Sequence, residues 1–210
     1  MVRSRICCFK KRLGFVLIVP LLLLGMCQTY VLGGTAFVER TGQITSYSAT
    51  GGEDGDLKKG VVWPKPRFKD NGNGTVTDKL TKLIWLKNAN AFGLRTWEQA
   101  LSDANTLSSG SAGLSDGSKD GDWRLPNLKE LQSLIDYAYV SPALSNASGT
   151  LQWTSGDAFT GVQSDSNFYW SSTTNLYGTE YAWVVRMDIG NAGAGHKPSG
   201  CYVWPVRSAK

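Results

Sequence analysis

The chain has 210 residues and carries 22 Lys and Arg against 17 Asp and Glu, but five of those bases, Arg3, Arg5, Lys10, Lys11 and Arg12, stand in its first dozen residues. Without them the balance is 17 against 17, so the basic pI belongs to the N-terminal segment and composition gives no case for a nucleic-acid partner. Cys7, Cys8 and Cys27 fall near that end too, which excludes an internal disulfide framework in the remainder, where Cys201 stands alone.

The bases precede the apolar run from Leu13 to Met26, and Gly33, Gly34, Thr35 and Ala36 follow it, which is the layout of a secretory signal over residues 1–36. Cleavage after Ala36 starts the mature chain at about Phe37, with Gly33 as an alternative end. Residues 13–32 are also long enough for an uncleaved membrane anchor, although Pro20 and Gln28 weaken it. Cys27 stands where a lipoprotein cysteine would, behind a Met26 larger than the usual small residue. Residues 37–210 suit one domain, and its tryptophans supply large buried areas.

Along that domain, residues 37–66 are polar and Gly-rich, with Gln43 to Tyr47 strand-like and Glu53, Asp54 and Asp56 set among glycines. The cluster Lys58, Lys59, Lys65, Arg67 and Lys69 reads as a solvated basic surface. Arg67 to Asp78 contains two Asn-Gly pairs, which supply the positive φ angles of tight turns and predict a hairpin. A calcium loop is the alternative for that segment, but Thr75 stands where an EF-hand needs glycine and no Glu closes the loop. Leu83 to Leu86 continue as a buried strand. Thr96 and Gln99 form a capping box that predicts a helix with Trp97, Ala100, Leu101, Ala104 and Leu107 on its buried stripe. Ser108 to Asp120 reads as a surface loop.

Asn127 and Glu130 form a second capping box, and Leu128, Leu131, Leu134 and Ile135 repeat at helical spacing, predicting a helix that ends near Tyr137 to Tyr139. Trp123 is expected to be buried and Arg124 to sit in a structural pairing. Beyond lie short aromatic strands: Trp153 to Ser155, Tyr169 to Thr174, Tyr181 to Asp188 and Tyr202 to Arg207. In the third, Trp183, Val185 and Met187 alternate with Val184, Arg186 and Asp188, implying one half-polar face. Pro205 suits an edge strand or a bulge.

Taken in order, Lys59-Gly60-Val61-Val62-Trp63-Pro64, Arg67-Phe68, the hairpin with Trp85, the Trp97 helix, Asp122-Trp123-Arg124-Leu125-Pro126, Tyr169-Trp170-Ser171-Ser172 and Val203-Trp204-Pro205-Val206-Arg207 resemble the DUF1566 family, also called the Lcl C-terminal domain. The resemblance spans about Gly42 to Arg207. It implies an α+β domain of C-type-lectin-like or formylglycine-generating-enzyme-like fold, with two helices, twisted antiparallel strands and long loops. It also implies bacterial export, and polysaccharide binding in the family's founding adhesin.

The first functional expectation is an exported, non-catalytic module that presents loops to a glycan or to an envelope or extracellular protein. Tyr177, Tyr181 and Tyr202 are candidates for stacking on sugar rings, with Arg186, Asp188 and Asn191 as hydrogen-bonding partners. An enzyme is the alternative. The related formylglycine-generating enzymes use a cysteine pair, whereas Cys201 has only His196, five residues away, as a candidate base. A buried, small-hydrophobe role suits Cys201 better. A calcium-assisted lectin is a third reading, with donors among Glu53, Asp54, Asp56, Asp116, Asp120 and Asp122; turn-forming or solvated acids explain them more simply, and no cofactor is expected.

Overall fold

A computed structural model describes residues 38–209; the signal and anchor readings and Cys27 lie outside the described residues. Among the described residues, two antiparallel-rich sheets and three short helices make an α+β architecture. The first sheet joins β1 (Phe68–Asp70), β2 (Thr75–Asp78), β3 (Leu83–Leu86) and β9 (Val206–Ser208) in that order. The second runs β4 (Leu94–Arg95), β8 (Cys201–Tyr202), β5 (Phe168–Thr174), β6 (Tyr181–Arg186) and β7 (Ala192–His196).

The Asn-Gly hairpin forms as the turn chemistry demands: Phe68 faces Asp78 and Asp70 faces Val76 across β1 and β2. Gly72 and Gly74 both take positive φ. The oxygen donors of the calcium reading are committed elsewhere, since Asp70 pairs with Lys87 at 2.6 Å and Asp78 with Arg67 at 3.4 Å.

Helix α2 (Trp97–Asn105) carries the reciprocal Thr96–Gln99 cap and buries Ala100 and Ala104. Helix α3 (Leu128–Gln132) begins at the Asn127–Glu130 box but stops well short of Tyr137. Beyond Ser133 the backbone changes partners: Asp136 N–H donates to Ala143 O at 2.8 Å and Ile135 forms a bridge with Leu144. The helical spacing of Leu131, Leu134 and Ile135 therefore marks burial, with only Leu131 inside the helix. Glu130 has a further task, accepting two bonds from the Arg124 guanidinium at 2.7 and 2.6 Å, while Trp123 is fully buried.

Several sequence expectations change. Gln43 to Tyr47 is a loop because Glu53 accepts from Ser46 Oγ, Tyr47 N–H and Ser48 N–H, taking donors that a strand would use. Residues just past it form a one-turn helix, α1 (Asp54–Leu57). Trp153 to Ser155 is not a strand; only the neighbouring Gln152 bridges Ser145. The half-polar face expected for β6 is absent, because apolar clusters cover both sides of the strand. Val185 packs with Tyr169, Trp204 and Val206, whereas Ala182 and Val184 pack with Trp170, Leu125 and the α2 alanines.

The last strand expected, Tyr202 to Arg207, is split at Val203, Trp204 and Pro205. Its first part enters the five-stranded sheet beside β5 and its second part pairs with β3. Proline cannot donate to a ladder, so Pro205 suits the crossing between sheets. Trp204 lies at that crossing, with ring centroids 5.7 Å from Trp85, 5.0 Å from Phe159 and 5.5 Å from Tyr169. Its indole N–H donates to Leu86 O at 2.8 Å, so the polar atom is satisfied inside the core.

Candidate functional site

The six sequence-chosen binding residues do not converge. Tyr177 is fully exposed at the tip between β5 and β6, and Tyr181 opens β6. Arg186 closes that strand, and five residues of strand rise separate it from Tyr181 by roughly 17 Å. Arg186 donates to Asp188 through Nε and Nη2, and Asp188 is buried, so this pair is a structural contact rather than a free hydrogen-bonding surface. Asn191 is exposed beside it, its carbonyl accepting from Arg186 N–H. Tyr202 lies on β8, half-buried against Tyr169 at 5.7 Å.

Around Tyr181, however, the sheet assembles residues that the linear sequence keeps apart. Antiparallel register sets Tyr181 opposite His196, with their rings 5.3 Å apart. Lys197 Nζ lies 4.0 Å over the Trp97 ring and donates to Thr174 Oγ1 at 3.2 Å. Trp97 is fixed in turn by its indole N–H on Ser171 O and its backbone N–H on Lys197 O. Lys197 N–H donates to Glu180 O at 3.0 Å. The result is an open groove of about 470 Å³ lined by Thr96, Glu98, Glu180, His196, Lys197 and Pro198. Gly195 is needed beneath it, because a Cβ there would stand 2.7 Å from the Trp170 ring.

Sequence reasoning found Tyr181 but placed Trp97 wholly in the core and passed over Glu98, Glu180 and Lys197. Only the β6–β7 register and the docking of α2 bring them together. Chemically, the groove and its edge at Tyr181 offer a tilted aromatic pair, two carboxylates as acceptors and one ammonium donor.

Cys201 and His196 form no dyad. Two strands, β5 and β6, lie between β8 and β7, three inter-strand steps of about 4.8 Å each. Cys201 is buried, and burial pushes its thiol up to about 12, so it stays protonated near neutral pH.

The acidic clusters serve local structure. Asp54 accepts from Thr41 Oγ1 and Asp56 from Gly52 N–H. Asp116 accepts from Ser118 and from Arg207 at 3.0 Å, Asp122 accepts from Lys119 N–H, and Asp120 is exposed. Among the described residues no three His, Cys, Asp or Glu side chains are grouped to hold a metal ion.

Arg67 corrects the reading of a solvated basic cluster. Its side chain is fully buried, 4.1 Å from the Trp63 ring centroid and 4.7 Å from that of Phe68. Among the described residues only Nη2 finds acceptors, Asp78 and Ser133 O, and Nε and Nη1 have none. Glu39, on the segment that covers this centre, is half-buried, and desolvation raises its pKa from 4.5 to about 7; the Asp78 charge adds to the rise and Arg67 opposes it. An acid whose folded pKa is raised keeps its proton in the folded state while the unfolded chain releases it. Glu39 therefore favours folding fully below about pH 4.5, and that contribution is lost as pH rises to about 7. The difference sets a ceiling near 3 kcal/mol, which solvent around a half-buried group reduces to about 1–2 kcal/mol. Glu39→Gln should raise the urea midpoint at about pH 8 and flatten its fall from about pH 5. Asp136, also raised by burial, leaves a residual slope of the same sign. An unchanged pH profile in the variant would remove Glu39 from this role.

No helix among the described residues is long and apolar enough to cross a membrane. No curated relative matches the chain. The sequence pattern of the Lcl C-terminal domain matches residues 74–207, a span that holds β2 to β8, the first two residues of β9, both capped helices and the whole groove beside Tyr181. The chain thus belongs to the Lcl C-terminal domain family.

Proposed function

We propose that the protein is an exported, non-catalytic binding module on a C-type-lectin-like fold, and that the groove beside Tyr181 takes a glycan of the envelope or extracellular space. The observation that carries this reading is the exposed Tyr181–His196 pair flanked by Glu98, Glu180 and Lys197. An aromatic face covers the apolar side of a pyranose ring, and carboxylates accept from its hydroxyls while the ammonium donates. Family membership and the signal-like N-terminus support the address. The buried, protonated Cys201 thiol, separated from the histidine by two intervening strands, argues against nucleophilic catalysis.

A glycan array run on the mature protein should return a defined set of retained sugars. Tyr181→Ala should weaken them by about tenfold, the loss of one stacking surface, and Glu180→Gln by a similar factor through the lost charged acceptor. Retention that survives both substitutions would move the site elsewhere, and an empty array would sink the glycan reading.

A further inference from the structure

A second cavity, of about 230 Å³, lies between the segment Arg40 to Lys65 and the loop that carries Asp136 and Tyr139. Three cations line it, Arg40, Lys58 and Lys65, together with one acid, Asp136, and the aromatic rings of Trp63 and Tyr139. Most of these residues precede position 74, outside the span matched by the family. The cavity is smaller than the roughly 300–1,000 Å³ of sites for drug-sized ligands, so it suits a smaller molecule.

The walls are tied in place. Trp63 donates its indole N–H to Arg40 O at 3.2 Å and rests on the Arg67 guanidinium. Tyr139 OH donates to Thr150 O at 3.1 Å, and Tyr137 N–H donates to Thr41 O at 2.9 Å, joining segment to loop. Gly42, at φ +93°, passes directly over the acid; a Cβ there would stand 2.1 Å from Asp136 Oδ1.

Asp136 is the unusual member. It is 3% exposed, and the one hydrogen bond to its carboxylate among the described residues is the Ala138 N–H on Oδ1 at 3.0 Å. Its second carboxylate oxygen has no donor there. A buried carboxylate in that state is costly unless a donor reaches it. A simple anion drawn in by the three cations would meet this like charge, whereas a molecule bearing both signs would satisfy acid and cations together.

We propose that the cavity is a binding site for a small amphoteric molecule, an amino acid or close derivative with an apolar side chain. Its ammonium donates to the free oxygen of Asp136, its carboxylate lies among Arg40, Lys58 and Lys65, and its side chain rests against Val62 and Tyr139. This site is separate from the groove beside Tyr181 and does not depend on the glycan reading.

The test uses the purified protein with L-phenylalanine and L-leucine as probes, beside 3-phenylpropionate and phenethylamine, which each keep one of the two charges. Calorimetric titration and thermal melting are read together. One of the amino acids should bind, raising the melting temperature by roughly 5–10 °C at about a hundredfold excess over its Kd. For the half-molecules the affinity should fall about 10- to 100-fold, the weight of one charged hydrogen bond. Asp136→Asn keeps an acceptor for Ala138 N–H but loses the charge, so phenylalanine should weaken by that factor while 3-phenylpropionate gains. Lys58→Glu, at an exposed position, should weaken the amino acid without threatening the fold. No binding of either amino acid overturns the proposal; so does 3-phenylpropionate binding the native protein as tightly as phenylalanine, which marks a plain anion site, or unchanged affinity in the Lys58 variant.

Discussion

Asp78→Ala is expected to cost about 3–5 kcal/mol of stability, because it strands a fully buried Arg67 guanidinium without its counter-charge. The carboxylate also accepts from Leu80 N–H at 2.9 Å and Thr81 Oγ1 at 3.0 Å, so the turn after β2 loses its anchor as well. Against a total of roughly 5–15 kcal/mol, the urea midpoint should fall by about a fifth or more. The pair is not itself strongly stabilising: two Arg67 nitrogens, Nε and Nη1, find no acceptor among the described residues, and buried ion pairs often break even with apolar replacements. Arg67→Met combined with Asp78→Asn should therefore recover most of the loss, Asn keeping an acceptor for Leu80. A loss under about 1 kcal/mol in the single variant would mean that solvent reaches the guanidinium.

Trp204→Ala should be comparably damaging. It removes a fully buried ring that touches Trp85, Phe159 and Tyr169 and leaves a cavity between the sheets, for which a cost of about 3–5 kcal/mol is usual. It also removes the donor to Leu86 O. Near-ultraviolet circular dichroism should lose the signal of the packed aromatic cluster before the far-ultraviolet signal changes, and chemical denaturation should give the size of the loss. Trp204→Phe should retain more than half of the stability that alanine loses, since it keeps ring area but not the N–H. Equal losses in the two variants would assign the effect to the hydrogen bond.

Both positions show where sequence reasoning reached and where it stopped. Caps and turns are encoded within four residues, and the Thr96–Gln99 and Asn127–Glu130 boxes and the Asn-Gly hairpin form as read. Helix length was not legible. The apolar spacing of Leu131, Leu134 and Ile135 reflects burial, and partners at Ala143 and Leu144 decide where helical bonding ends. Arg67 reads as one of five bases in a polar stretch, yet it is enclosed by Trp63, Phe68 and Asp78, contacts that only the tertiary fold creates. For the groove, Tyr181 was legible as an aromatic opening a strand. Glu98 and Glu180 were not, because they lie 82 positions apart and meet only through the docking of α2 against the five-stranded sheet.

The split of the final strand bears on when the protein can become itself. Among the described residues β4 pairs with nothing except β8, and β3 has β9 as its second neighbour. Trp204 lies between them. While a chain is still being synthesised, everything up to Gly200 can exist without closing either sheet or filling the space among Trp85, Phe159 and Tyr169. Such long-range pairings form late and slowly. A nascent polypeptide that still lacks the segment Cys201 to Ser208 stays open and threadable, and both sheets close together once that segment has emerged.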